Sequence, residues 1–273
     1  MIKVERPKGS VPKGLIRKGL TELKKHRNLE PKEREFKAYS ADTVKEKLAE
    51  LFGRKCMFCE SLLAGTQPGD VEHYRPKGKV VVYPKTDDAP AHVVPGYYWL
   101  AAKWPNLLLS CADCNRPRTQ DDFDGTARVI GKANFFPLAD EAKRATGPWL
   151  VLKEEPLLLN PCVDDPADHL LFLEDGRVEP LMIDGAPSPK GKASIHYLGL
   201  ARAELLQMRA RHGRMVLAAI RHTVAALESG REPGADLEDL VTFLDPKEAY
   251  VAFSRMLVHR HLSNYIADLG LHV

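Results

Sequence analysis

Asn106-Leu107-Leu108-Leu109-Ser110-Cys111-Ala112-Asp113-Cys114-Asn115 is the stretch that decides how this chain is read. A short apolar run leads straight into a Cys-x-x-Cys pair, and an asparagine follows the last cysteine. A matching pair, Cys56-Met57-Phe58-Cys59, lies upstream, and Glu72-His73 falls between the two. Two thiolates on one tight turn can share an ion, and two such turns complete a tetrahedral four-cysteine zinc site. With four protein ligands that site is closed, so its expected role is structural. The 51 residues between the pairs exceed the compact ribbon spacing of about 15–20, so the intervening chain must fold back as a motif of its own. Four of the five cysteines fall into these two pairs, a pattern too regular for unrelated buried cysteines. A redox Cys-x-x-Cys needs only one pair and a thioredoxin-like βαβ setting, which is missing.

Composition is ordinary for a globular protein: 44% hydrophobic and 28% charged over 273 residues. No run of about 18 apolar residues predicts a membrane span. Met1-Ile2-Lys3-Val4-Glu5-Arg6 lacks the apolar stretch of a signal peptide, so a cytoplasmic location is expected. There thiols stay reduced, which favours metal over disulfides. Net charge is +3, but residues 1–59 carry 16 Lys/Arg against 8 Asp/Glu, so the remainder is net acidic. A basic arm beside a metal centre suggests a phosphate-bearing partner; the alternative is a solvated, partly disordered extension.

Three segments are expected: a basic N-terminal extension (1–40), a unit carrying the cysteines (41–138), and an irregular segment with a C-terminal helical region packed on it (139–273). The extension holds one short helix near Leu15–Leu23, bounded by prolines. Val44, Leu48, Leu51 and Phe52 recur at helical spacing from Ala41 to Phe52, and Gly53 is the stop. Val71 and Val80–Tyr83 suit strands, Tyr97–Trp104 an aromatic helical turn, and Asn106–Ser110 a buried strand. A short helix begins near Asp113, with Pro117 in its first turn. Leu170–Leu173 and Val178–Ile183 form a strand pair around Asp175-Gly176. Helices follow over 201–227, 237–244 and 247–269, with Met208, Met215 and Met256 as core.

The chemistry follows from residue types. A neutral histidine, His73, can take a proton from water, and the carboxylate of Glu72 can hold a divalent cation. Asn115 offers a neutral oxygen; one carboxylate and one amide with several waters suit Mg²⁺ or Mn²⁺. Asn106 is better placed to pin the loop holding His73 than to bind metal. Asp70, two residues before Glu72 on the same strand face, is a second acidic contributor. Arg75, Lys77, Arg116 and Arg118 flank these residues and can grip phosphates, Arg116 and Arg118 beside a helix N-terminus. Cys162 reads as a small buried hydrophobe. His212, His222, His259 and His261 read as interfacial or surface residues, and His92 lies in a loop. There is no phosphate-cradling glycine loop and no Gly-x-Ser-x-Gly.

The order Cys-x-x-Cys, Glu-His, Asn-Leu, Cys-x-x-Cys-Asn resembles the HNH endonucleases, whose site is a ββα-metal fold. The resemblance implies Glu72 and Asn115 as ligands of a catalytic Mg²⁺ or Mn²⁺, His73 as general base and Asn106 as the orienting residue. Glu stands where Asp is commoner. His73-Tyr74-Arg75-Pro76-Lys77-Gly78, Gly96-Tyr97-Tyr98-Trp99-Leu100, Phe136-Pro137-Leu138, Leu159-Asn160-Pro161-Cys162 and Leu198-Gly199-Leu200 look like the HNH subunit of Septu-type and retron-associated anti-phage systems. That resemblance covers roughly residues 40–210 and implies an ABC-type ATPase as partner. The expectation is therefore an α+β protein: a zinc-stapled ββα-metal unit with an N-terminal helical extension and a C-terminal helical region. It would cut nucleic acid, DNA being favoured over RNA. The rival readings are a non-catalytic zinc-knuckle nucleic-acid binder and a partner-docking subunit.

Overall fold

The computed structural model describes residues 1–63, 65, 67–83 and 91–271. Its first 41 residues are woven into the body of the protein. The Val4 amide donates to the Pro161 carbonyl, and Arg6 reaches the Leu107 carbonyl while lying over the Trp104 ring. Helix α1 (Leu15–His26) is anchored by its buried Leu15 and His26. Helix α2 (Asp42–Leu51) starts with an acidic residue in its first turn, which suits the positive end of the helix dipole, and buries Val44 and Leu48. Past its cap at Phe52, Gly53 turns the chain at φ +62, where an added Cβ would meet Lys247 Cα at 2.7 Å.

The first cysteine pair follows, then strands β1 (Asp70–His73), β2 (Lys79–Val82), β3 (His92–Pro95) and β4 (Leu107–Ser110), and the single-turn helix α3 (Ala112–Asn115). β1 and β4 are antiparallel, with Asp70 opposite Ser110 and His73 opposite Leu107; β2 and β3 form a separate antiparallel pair. Two strands and a helix thus carry Asp70–His73, Leu107–Ser110 and Ala112–Asn115, with Cys111 as the N-cap between β4 and α3. The helix is shorter than expected and places Asn115 at its end, not its start. Pro117 disfavours helical geometry at the residue before it, so the turn closes at Asn115. Arg116 and Arg118 therefore lie past a C-terminus, not beside the anion-attracting N-terminus that was expected.

Antiparallel β5 (Arg118–Asp121) and β6 (Ala127–Ile130) come next. The strand pair read around Asp175-Gly176 is present as β7 (Leu170–Phe172) and β8 (Val178–Pro180); β9 (Met182–Ile183) belongs to a second pair with β10 (Ala186–Pro187). Helix α4 (Pro189–Leu198) is capped by the Ser188 hydroxyl, which accepts from Gly191 N. Helix α5 (Ala203–Glu228) packs on α6 (Gly234–Leu244) and α7 (Val251–Leu262). Small sheets and segregated helices make the protein α+β.

Leu205, Arg209, His212, Val216, Ile220 and Thr223 form the buried stripe of α5. Met208 and Met215, expected in the core, are exposed because they fall off that stripe. The last helix stops at Leu262, short of 269. A contiguous core joins all three sequence segments, from Leu15 through Phe58, Leu108 and Phe136 to Phe253. Phe136 meets Tyr74 and Tyr97 edge-on at 5.1 and 5.6 Å.

Candidate metal centre and hydrolytic site

Cys56, Cys59, Cys111 and Cys114 are all buried and unbridged, and their sulfurs lie within 4.8 Å of one another. A tetrahedron with Zn–S bonds of about 2.3 Å has sulfur–sulfur edges of about 3.8 Å; Cys59 and Cys111 are 3.8 Å apart. The donor set and its size fit zinc. Backbone bonds fix both turns: Glu60 N to Cys56 O, Met57 N to Leu109 O in β4, and Asn115 N to Cys111 O. Hydrogen bonds from Cys111 and Cys114 hold the Cys59 thiol well below its ordinary pKa, with Arg202 adding to the pull. The buried Arg202 places Nη1 3.6 Å from Cys114 Sγ and donates to Gly199 O. Four thiolates around Zn²⁺ leave two negative charges, and a buried guanidinium offsets part of that charge without binding the metal.

Side chains alternate along β1, so Asp70 and Glu72 share one face while Val71 and His73 share the other. His73 is 5% exposed. Its Nε2 lies 2.9 Å from the Ala101 carbonyl, which can only accept; Nε2 therefore carries the proton and Nδ1 the lone pair. Burial, with the cations of Lys77 and Lys132, lowers its pKa to about 3, so the ring is neutral at pH 7. The Tyr39 ring meets it edge-on at 4.5 Å, and Lys77 lies over Tyr39.

Asn106 is buried and makes three bonds to backbone. Its Oδ1 accepts from Arg75 N at 2.8 Å, and its Nδ2 donates to Arg75 O at 3.0 Å and Leu100 O at 3.3 Å. Asn106 thereby ties the chain just past His73 to the turn whose carbonyl orients His73.

Glu72 and Asn115 are engaged by different partners. Lys132 donates to Glu72 Oε1 at 2.6 Å and to His73 O at 2.9 Å. Burial pushes the Glu72 carboxyl above its usual range, against the pull of Lys132. Asn115 instead donates to Asp70 Oδ2 at 3.0 Å, and Arg116 grips both Asp70 oxygens at 2.9 and 2.7 Å. Against its partial burial, Arg116 and Asn115 keep the Asp70 carboxyl below its usual range. As folded, then, the residues expected to share Mg²⁺ or Mn²⁺ do not fit it: an ammonium already holds Glu72 Oε1, and Asn115 is bonded to Asp70.

The flanking cations divide. Arg75 turns inward, paired with the buried Glu154 at 2.8 Å and lying over Phe136, which removes it from the surface expected to grip phosphate. Arg118 pairs with Asp113 and Arg116 with Asp70, both guanidiniums remaining exposed. His92 is exposed at the start of β3. Cys162 is only half-buried. Lys132, Tyr39, Glu154 and Arg202 were not marked by any motif; Gly131-Lys132-Ala133 alone carried a local cue, a lone lysine in a mostly apolar stretch.

No family model matches the chain. Septu protein PtuB of Bacillus mycoides (strain KBAB4) is 40% identical over 176 residues, 64% of this chain and 52% of that protein. Septu protein PtuA of the same strain is 29% identical over 160 residues, 58% of this chain and 19% of that protein. The chain thus spans about half the length of the first relative and about a fifth of the second. Over the aligned span, this chain is a homologue of Septu protein PtuB.

Proposed function

We propose that this protein is an HNH-type endonuclease that hydrolyses nucleic-acid phosphodiester bonds, acting in anti-phage defence with an ATPase partner. The observation that carries the reading is His73: neutral, fixed in one tautomer by Ala101, at the end of a strand whose following turn is pinned by Asn106, on a strand–strand–helix unit closed by four converging cysteines. Homology to a Septu protein supports the defence role.

The cysteines would hold zinc, which supplies rigidity and no open coordination position. His73 Nδ1 would accept the proton of the attacking water; a low pKa keeps that nitrogen free at neutral pH while limiting its strength as a base. Tyr39 packs against the ring at 4.5 Å and narrows the approach to it. Lys77, Arg116 and Arg118 are the cations nearest the surface around β1 and would meet the phosphates. No step is routed through Mg²⁺ or Mn²⁺, because Glu72 faces Lys132.

The docking reading has one observation of its own. Trp149 and Leu152 are 89% and 94% exposed on a 3₁₀ turn, Pro148–Lys153, and large exposed apolar side chains commonly anchor partners. The test pairs a gel-shift with a cleavage gel. His73→Ala should bind plasmid, single-stranded DNA or transfer RNA as wild type does and cut none of them. Equal cutting by both proteins would end the nuclease assignment of His73, and no cutting by either would favour a binding or docking role.

A further inference from the structure

Lys132 reaches the site on a built segment. Its amide donates to Cys114 O and that of Ala133 to Asn115 O, so the backbone is strapped along the end of α3. Gly131 takes φ +125 with the Arg116 carbonyl 2.1 Å from any added Cβ, and Ala133, at φ +45, sits in the left-handed region that alanine rarely adopts. Strain of this kind persists only where surrounding structure enforces it. What it delivers is a lysine side chain with 0% exposure, its ammonium bonded to Glu72 Oε1 and His73 O. A lysine is almost never fully buried unless paired, and this one is paired to the carboxylate that precedes the histidine.

We propose that Lys132 is the resident cation of the site: its ammonium fills the seat on Glu72 that a divalent ion would otherwise take. Glu72 is then charge-balanced and hydrogen-bonded without metal. A divalent ion reaches Glu72 Oε1 only by displacing Lys132. Asp70, gripped by Arg116 and Asn115, is likewise balanced by a guanidinium. The cluster is thus organised as two cation–carboxylate pairs side by side on one strand face, not as two carboxylates awaiting one ion. That Glu72 is the carboxylate a divalent ion would meet rests on the nuclease reading; that Lys132 sits on it does not.

Mn²⁺ binding to zinc-loaded protein, followed by the loss of the free-ion electron paramagnetic resonance signal, tests this without any cleavage step. Mn²⁺ prefers oxygen donors and leaves thiolate sites to zinc. Wild type and Glu72→Gln should bind Mn²⁺ equally, because Glu72 is not a ligand while Lys132 holds it. Lys132→Met should bind at least tenfold tighter than wild type, and Glu72→Gln/Lys132→Met should lose that gain. A tenfold loss in Glu72→Gln alone would overturn the proposal, as would a folded Lys132→Met with no gain. If Lys132→Met does not fold, the comparison of wild type with Glu72→Gln decides. A protein that passes these tests and cuts nothing would refute the nuclease reading and leave Lys132 in place.

Discussion

Asn106→Ala removes three hydrogen bonds at one stroke, and the structure says which backbone groups are left behind. Arg75 N loses its acceptor, and the carbonyls of Arg75 and Leu100 each lose a donor. A typical internal hydrogen bond contributes about 1 kcal/mol net, and a buried donor left unpaired costs about 1–3 kcal/mol. Carbonyls have a second lone pair and recover more easily, so the donor at Arg75 dominates. The expected loss of stability is about 3 kcal/mol, or a drop of roughly 6 °C in Tm for a chain of this size. The assay is urea unfolding of zinc-saturated protein, followed by near-ultraviolet circular dichroism from Tyr74, Tyr97 and Trp104. Asn106→Asp separates the causes: it keeps the acceptor for Arg75 N but gives up both donated bonds and buries a charge, so it should not rescue. A loss below about 1 kcal/mol for Asn106→Ala would show that water replaces the side chain, and the pinning role would fall.

Three further outcomes are expected. One equivalent of zinc should copurify per chain, and Co²⁺ substitution should give the intense thiolate charge-transfer bands of four sulfur ligands, lost in Cys111→Ala; a disulfide-linked, metal-free protein would contradict the fit of the sulfur cluster. Gly131→Ala should destabilise by about 2–3 kcal/mol in denaturant unfolding, because its Cβ meets the Arg116 carbonyl and its φ is positive; an unchanged midpoint would show that the segment carrying Lys132 is loose. His212, buried against Phe243 and Tyr250, has a pKa below the ordinary 6.5 because of its burial. The unfolded chain therefore binds its proton first, and the stability His212 contributes is full above pH 6.5 and is lost as pH falls below it; the difference in unfolding free energy between wild type and His212→Gln should shrink on acidification, and a difference that grew would reverse the sign.

The cysteine spacing made the staple legible, because four sulfurs at matched intervals have few other uses. β4 was legible for the same reason: Leu107–Leu109 is an apolar run between an asparagine and a cysteine turn; the bounds of α3 were not, since Pro117 closes it at Asn115. Asn106 was legible as a pinning residue from its place before that strand. The partners of the charged groups were not. Lys132 lies sixty residues from Glu72 and Glu154 seventy-nine from Arg75, and contacts of that sequence separation leave no periodic trace. The same holds for Arg202 beside Cys114. Helix α5 gave its length through periodicity, but not which methionines face solvent, since both stripe and flank carry apolar residues. Arg75 shows the limit most clearly: a cation next to a reactive histidine reads as a phosphate contact until Glu154 is seen beneath it.

Single-turnover cleavage of end-labelled duplex DNA, single-stranded DNA and transfer RNA, by wild type, His73→Ala and Asn106→Ala matched for zinc content, tests the central claim most directly. A general base contributes about 10²–10⁴-fold, so His73→Ala should be slower by at least a hundredfold on whichever substrate wild type cuts, with Asn106→Ala between the two. Cleavage by His73→Ala at the wild-type rate would contradict the account.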